Sequence, residues 1–233
     1  MRKILTEGLK ELGIVPNEDV LSGFEQYYEL LSQRNAVMNL TAIKGIEDTA
    51  RLHFLDCAAL CSLYNFDGAS LIDVGTGAGF PGLPLKILKR DISATLLDGT
   101  QKRVNFLSEV CSALSLENVR CVCGRAEEEA ASIGGSFDIA VSRAVARLNI
   151  LCELCLPFVH VGGVFIAMTG PDCQDELSEA SNAIAVLGGG QAEIKKYTIP
   201  GTDIVHSAVI IKKLRPTSPL YPRQFGQIKK KPL

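Results

Sequence analysis

The stretch Leu71-Ile72-Asp73-Val74-Gly75-Thr76-Gly77-Ala78-Gly79-Phe80-Pro81-Gly82 decides the fold. It begins as a short apolar strand with an acid near its end. Glycines at 75, 77 and 79 then let the chain turn tightly and bring its backbone close to a ligand. Pro81 suits the opening of a helix, where its missing N–H costs nothing. Strand, glycine turn and helix in that order form the first unit of an open α/β sheet. Such sheets bind ligands in the crevice at the carboxyl ends of their strands, and Asp73 stands beside that crevice.

Outward from this stretch, apolar runs alternate with helix-length segments, the pattern of a parallel sheet with crossover helices. The expected strands are Ser70 to Val74, Ala94 to Asp98, Val119 to Cys123, Phe137 to Ser142 and Gly163 to Met168. Two later runs, Ala192 to Thr198 and Ile204 to Lys213, read as a hairpin joined through Pro200 and Gly201. Before the sheet the chain reads as helical. Ile4, Leu5, Leu9 and Leu12 recur at helical spacing, and Asn17 can cap a second helix whose stripe runs from Val20 through Phe24 and Tyr27 to Leu31. A third helix is expected from about Ile46 to Tyr64. The fold class is therefore α/β and Rossmann-like, with a seven-stranded, mostly parallel sheet covered by helices on both faces. The expected organisation is a small helical subdomain at 1–66, a ligand-binding domain at 67–214 and a basic tail at 215–233.

A dinucleotide site would want G-x-G-x-x-G, which places glycine where Phe80 stands. An acid ahead of G-x-G-x-G suits instead a ligand with an ammonium end and no phosphate, and S-adenosylmethionine is such a ligand. Asp73, Gly75, Gly77 and Phe80 are the first candidate contacts. Asp98 closes the second strand, where a carboxylate can accept from both ribose hydroxyls; it can equally cap the helix that starts near Gln101. After the third strand, Ala126 and Glu127 stand where an adenine ring can be read, though the run Glu127-Glu-Glu129 also fits a plain helix start. The expected fold is thus that of an S-adenosylmethionine-dependent methyltransferase.

The fourth strand ends in Ser142-Arg143-Ala144. The Asn/Asp-Pro-Pro-aromatic motif that holds exocyclic base amines is absent, and so is a Pro-Cys dipeptide for attack on cytosine carbon. That leaves a target already nucleophilic, such as guanine N7, which loses no proton on methylation and needs mainly alignment. Arg143 can donate to guanine O6 or hold a phosphate; the alternative is an ion pair that supports the loop.

Apolar residues make up 47% of the 233 and charged residues 21%, which excludes general disorder. No run is apolar enough to cross a bilayer, and the charged start does not read as a signal peptide, so a cytoplasmic protein without membrane association is expected. In that reducing setting the eight cysteines read as small hydrophobes. Cys152-Glu-Leu-Cys155 has metal or redox spacing, but no second pair or close histidines complete a ligand set, so no metal is expected. From Lys212 onward seven positive charges occur with no acid, a possible phosphate contact on a near-neutral body or a solvated end. Nothing suggests an obligate interface, so a monomer is expected.

Several pieces together resemble one family, the bacterial small-subunit (16S) ribosomal RNA methyltransferase G family, also called glucose-inhibited division protein B. They are Asn39-Leu-Thr41, Arg51-Leu-His53-Phe-Leu-Asp56, Ile72 through Leu85, Leu96-Leu-Asp98 with Lys102-Arg-Val104, Ser142-Arg-Ala144, and Tyr221-Pro-Arg223 before a lysine-rich end. The resemblance implies methyl transfer from S-adenosylmethionine, leaving S-adenosylhomocysteine, to N7 of a guanine, giving 7-methylguanosine in the RNA of the small ribosomal subunit. It puts Gly75, Phe80, Ala126, Glu127 and Arg143 at the cofactor, with Arg143 the residue expected to carry catalysis. It puts His53, Lys102 and Arg125 toward the substrate. Two positions depart from the family pattern: Thr169 stands where many members have lysine, and His206 where many have arginine.

Three rivals remain at this point. One is a methyltransferase for a small molecule or a protein, another a non-catalytic RNA-binding module, and the third a nicotinamide-dependent oxidoreductase, which Phe80 disfavours. Thr169→Lys is expected to tighten RNA binding at fixed salt. Unchanged affinity in a filter-binding titration would mean that position 169 does not face RNA.

Overall fold

The structure is a computed structural model that describes residues 1–143 and 145–233. Two helices open the chain, α1 (Arg2–Glu11) and α2 (Glu18–Met38). Asn17 caps α2 as its sequence suggests, its side chain accepting from the Val20 N–H at 2.9 Å. The third expected helix is broken into α3 (Ile46–Thr49), a π-helical turn (Ala50–Leu55), α4 (Asp56–Ala58) and α5 (Leu60–Leu63). Such wide turns concentrate at functional sites. Here the segment supplies the Leu52 carbonyl, the His53 ring and the Asp56 carboxylate to one distant arginine, Arg143.

The rest alternates. The order is β1 (Ser70–Val74), α6 (Gly82–Leu88), β2 (Ser93–Asp98), α7 (Gln101–Ala113), β3 (Val119–Cys123), α8 (Ala126–Ile133), β4 (Phe137–Arg143), α9 (Leu148–Cys155) and β5 (Val159–Thr169). Then come α10 (Gln174–Glu179), α11 (Ser181–Val186), β6 (Gly189–Thr198), β7 (Val205–Lys213) and α12 (Phe225–Lys230). The seven strands lie in the order β3-β2-β1-β4-β5-β7-β6. All neighbours pair in parallel except β7, which runs against both β5 and β6. The strand order reverses between β1 and β4, and their carboxyl ends open the crevice. The Ser142 hydroxyl donates to the Val74 carbonyl at 2.9 Å and closes that seam from inside. No helix among the described residues is long and apolar enough to cross a membrane.

Each sheet face has its own core. On one, Leu71, Leu96, Ile139 and Ile166 pack with Leu5, Leu9, Phe24, Tyr27, Phe54 and Leu55 from the N-terminal helices. Those helices therefore share a core with the sheet. On the other, Ile72, Phe165 and Val209 pack with Leu151 and Leu154 of α9, Ile184 of α11 and Ile228 of α12. All eight cysteines are free, and Cys152 and Cys155 are buried in this second core.

The basic end is folded onto the body. Arg223 donates to Glu153 from its backbone at 2.9 Å and from its guanidinium at 2.8 and 2.6 Å, and Glu153 is fully buried. Lys213 is buried too, donating to the carbonyls of Leu156 and Leu187 at 2.8 Å. Two of the seven terminal cations are thus structural. Lys212, Lys229, Lys230 and Lys231 stay exposed.

Removing one member of a buried pair strands the other's charge. Arg223→Ala is expected to lower unfolding free energy by about 3–5 kcal/mol in urea titrations, and Arg223→Lys, without the planar fork, to restore less than half of it. A loss below about 1 kcal/mol would put the pair among exposed ion pairs.

Candidate active site

The glycine turn is held from three sides. The N–H groups of Gly75 and Thr76 donate to the Leu97 carbonyl at 2.8 and 3.1 Å. The Gly77 N–H donates to the Asp98 carboxylate at 3.0 Å. From α2, the Tyr27 hydroxyl donates to the Ala78 carbonyl at 2.5 Å. Gly77 has φ +61°, and a side chain there would meet no protein atom within 4 Å. That position faces open space.

Asp73 does not reach the cavity. It is fully buried beneath the turn, where one oxygen accepts from the Thr76 hydroxyl at 2.6 Å and the Gly82 N–H at 2.7 Å. A Cβ on Gly82 would sit 2.8 Å from that oxygen, so glycine is required by close approach. The other carboxylate oxygen has no hydrogen-bond partner among the described residues. Burial pushes the Asp73 carboxyl up to about 6, against the pull of its two hydrogen bonds. Its role is to staple strand, turn and helix together.

A cavity of about 480 Å³ lies over the turn. Gly75, Gly77, Phe80, Asp98, Arg125, Arg143 and His53 all reach its wall, so seven of the expected site residues meet there. Asp98 is only 4% exposed and accepts from the Thr100 N–H at 2.9 Å as well as from Gly77. Its oxygens keep acceptor capacity. Besides Asp73, three more expected residues do not line this cavity. Lys102 is exposed on the outer side of α7, Ala126 is set back at the start of α8, and Glu127 turns to accept from Arg125 at 3.2 Å. Arg103 takes the place expected of Lys102, lying 3.4 Å from Asp98 and lining the cavity. Helical spacing alone does not say which of two adjacent cations turns inward. Ala144 of the expected Ser142-Arg-Ala144 motif lies outside the described residues.

A second cavity, about 620 Å³, opens beyond the ends of β4 and β5. Ile43, Leu52, Leu151, Met168 and Ile204 make its apolar wall, and Thr169, Glu176 and His206 also reach it. His53 and Arg143 line both cavities and form the partition between them.

That partition is tightly held. Arg143 donates to the Leu52 carbonyl at 3.1 Å, to Asp56 at 3.0 Å and to His53 Nδ1 at 2.7 Å. Arginine only donates, so Nδ1 of His53 accepts and its proton is assigned to Nε2, which donates to the Thr41 hydroxyl at 2.8 Å. Burial and the Arg143 charge push His53 down to about 3, so the ring is neutral. Phe80 stacks on it with ring centres 4.1 Å apart, and the Arg143 guanidinium lies 4.9 Å from the Phe80 ring centre. Asp56 is 1% exposed and also accepts from Tyr197 and His206, each at 2.9 Å. Arg143 therefore forms the supporting ion pair, and it also lines both cavities. No group of three or more His, Cys, Asp or Glu side chains among the described residues is placed to hold a metal.

The fold has counterparts among solved structures. A methyltransferase from Pyrococcus furiosus superposes with a TM-score of 0.57 at 16% identity, covering 82% of this chain and 98% of that one. TYW2 of M. jannaschii, solved in complex with AdoMet, gives 0.52 at 13% identity over 65% of this chain and 72% of that one. Sequence decides more. The family profile described as GidB, rRNA small subunit methyltransferase G, matches residues 21–205. The chain belongs to that family. Curated relatives named ribosomal RNA small subunit methyltransferase G agree along the chain. The protein of Clostridium botulinum (strain 657 / Type Ba4) is 47% identical, covering 99% of this chain and 98% of the relative. That of Clostridium perfringens (strain 13 / Type A) is 43% identical with the same coverage.

His206 gives the family fold a titratable support in this chain. Its hydrogen bond to Asp56 raises its pKa above the ordinary 6.5, over the opposing effect of burial. Its stabilisation is complete below that ordinary value and is lost as pH rises through the raised one. The Tm gap between the wild type and His206→Gln is expected to shrink as pH climbs from about 5 to about 9. A gap that stays constant would mean that His206 is not charged in the fold.

Proposed function

We propose that this chain transfers a methyl group from S-adenosylmethionine to N7 of a guanine in the RNA of the small ribosomal subunit. The observation that carries the reading is the partition: His53 and Arg143 stand between a glycine-turn cavity and a larger, mostly apolar one. The first suits the cofactor. Gly75 and Gly77 offer backbone without side chains, Asp98 offers a carboxylate to ribose hydroxyls, and Phe80 lends an apolar floor. When bound, S-adenosylmethionine supplies an electrophilic methyl group. The second cavity suits a base taken out of its stack.

The partition carries no group free to act as a general base. Both nitrogens of His53 are engaged, and Arg143 is a cation without a lone pair to offer. That supports a target that loses no proton, as guanine N7 does. Arg143 uses three of its donors on Leu52, Asp56 and His53, leaving N–H groups that can meet the acceptors of guanine O6 or of a phosphate. Alignment across a fixed partition is then its main contribution to rate.

In this reading residues 1–66 complete the site with Thr41, His53 and Asp56, residues 67–214 carry the turn, and residues 215–233 bring exposed lysines toward RNA phosphates. Lys102 and Arg125 add to the same attraction. The working partner is the small subunit or its 16S RNA in the cytoplasm, with the protein acting as a monomer.

Incubation with labelled S-adenosylmethionine and small subunits that lack the modification, followed by RNA digestion, tests this directly. Label is expected in 7-methylguanine and is expected to fall at least a hundredfold in Arg143→Ala, the scale of a lost transition-state donor. Label in another base would discard N7. No label in RNA would discard RNA as the substrate.

A further inference from the structure

Among the ionisable residues lining the larger cavity, Glu176 stands apart. Asp56 is committed to Arg143, Tyr197 and His206, and His53 to Arg143 and Thr41. The Glu176 carboxylate has no hydrogen bond or ion pair among the described residues. It is half-buried on α10, the short helix that follows β5. It lines the larger cavity but not the glycine-turn cavity, so it lies off the His53–Arg143 partition.

We propose that Glu176 reads the Watson–Crick edge of the target guanine. The proposal rests on the functional reading above and goes beyond it by naming what selects the base. An acid on a surface that meets RNA is repelled by phosphate. It becomes useful where the nucleic acid presents N–H donors, and those belong to the bases. Guanine carries the acceptors N7 and O6 on its major-groove edge, and past O6 its Watson–Crick edge continues with two donors, N1–H and the 2-amino group. The cavity has matching polarity: a guanidinium at the partition and a carboxylate away from it. With O6 held by Arg143, N7 faces the partition and the donor edge faces away. Adenine in the same pose sets its 6-amino donor against Arg143 and its bare N1 against the carboxylate. The apolar walls from Leu52 and Met168 bound the slot without choosing between purines.

The test measures methyl transfer to unmodified small subunits, with 5′-GMP, 5′-IMP and 5′-AMP as competitors. In the wild type the expected order of inhibition is GMP, then IMP, which lacks the 2-amino group, then AMP. Glu176→Gln and Glu176→Ala are each expected to raise KM for subunits roughly ten- to a hundredfold, the scale of a lost charged hydrogen bond. Both should narrow the GMP-to-IMP preference toward one. S-adenosylmethionine affinity by calorimetry should be unchanged, since Glu176 is outside the glycine-turn cavity, and this readout separates base reading from misfolding. An unchanged KM, an unchanged preference in the variants, or no preference in the wild type would overturn the proposal. Failure of the functional reading is distinct, because there the wild type would label a base other than guanine, or no RNA at all.

Discussion

Asp56 is the point on which the site turns. A carboxylate that is 1% exposed cannot keep its charge without partners close by. It has three, Arg143 from β4, Tyr197 from β6 and His206 from β7, while Asp56 itself follows the π-helical turn. Four separate parts of the chain thus meet at one negative charge. Its hydrogen bonds tie the helical segment to the β6–β7 hairpin and to the Arg143 guanidinium at one point.

A second set of contacts ties the N-terminal helices to the glycine turn. Phe24, Tyr27, Phe54, Phe80 and His53 form a run of neighbouring rings, with Phe24 against Phe54, Tyr27 against both Phe54 and Phe80, and Phe80 against His53. Tyr27 ends in a hydrogen bond to the turn itself. Aromatic pairs of this kind add to the area they bury, and their preferred geometries fix relative orientation. The helices ahead of the sheet are thereby built into the cavity wall, and Thr41 and His53 join Arg143 in one hydrogen-bonded chain.

Much of this was legible in the sequence because local signals agreed. Apolar runs bounded by turns gave β1 and β3 their limits, and the glycines marked the crevice. β5 starts earlier than its apolar run, at Val159, because His160 to Gly163 fall in the register shift between the Phe137–Val159 and Ile139–Val164 pairs and carry no alternation to read. What stayed hidden depends on distance along the chain. Asp56 and Arg143 are 87 residues apart and Glu153 and Arg223 are 70 apart, and no periodicity links such positions. Asp73 was legible as part of the motif, but its turn beneath the loop follows from the packing of Gly82 and Thr76 around it. Glu176 lies on a six-residue helix with no pattern to single it out.

The partition has a thermodynamic corollary. A ligand that shifts Arg143 or His53 from one side alters the shape and field of the chamber on the other. The two occupancies are then linked, and linkage is reciprocal: whatever factor the first ligand lends to the second, the second returns to the first. Occupancy of the two chambers, when both are filled through this shared wall, is a joint equilibrium of the pair.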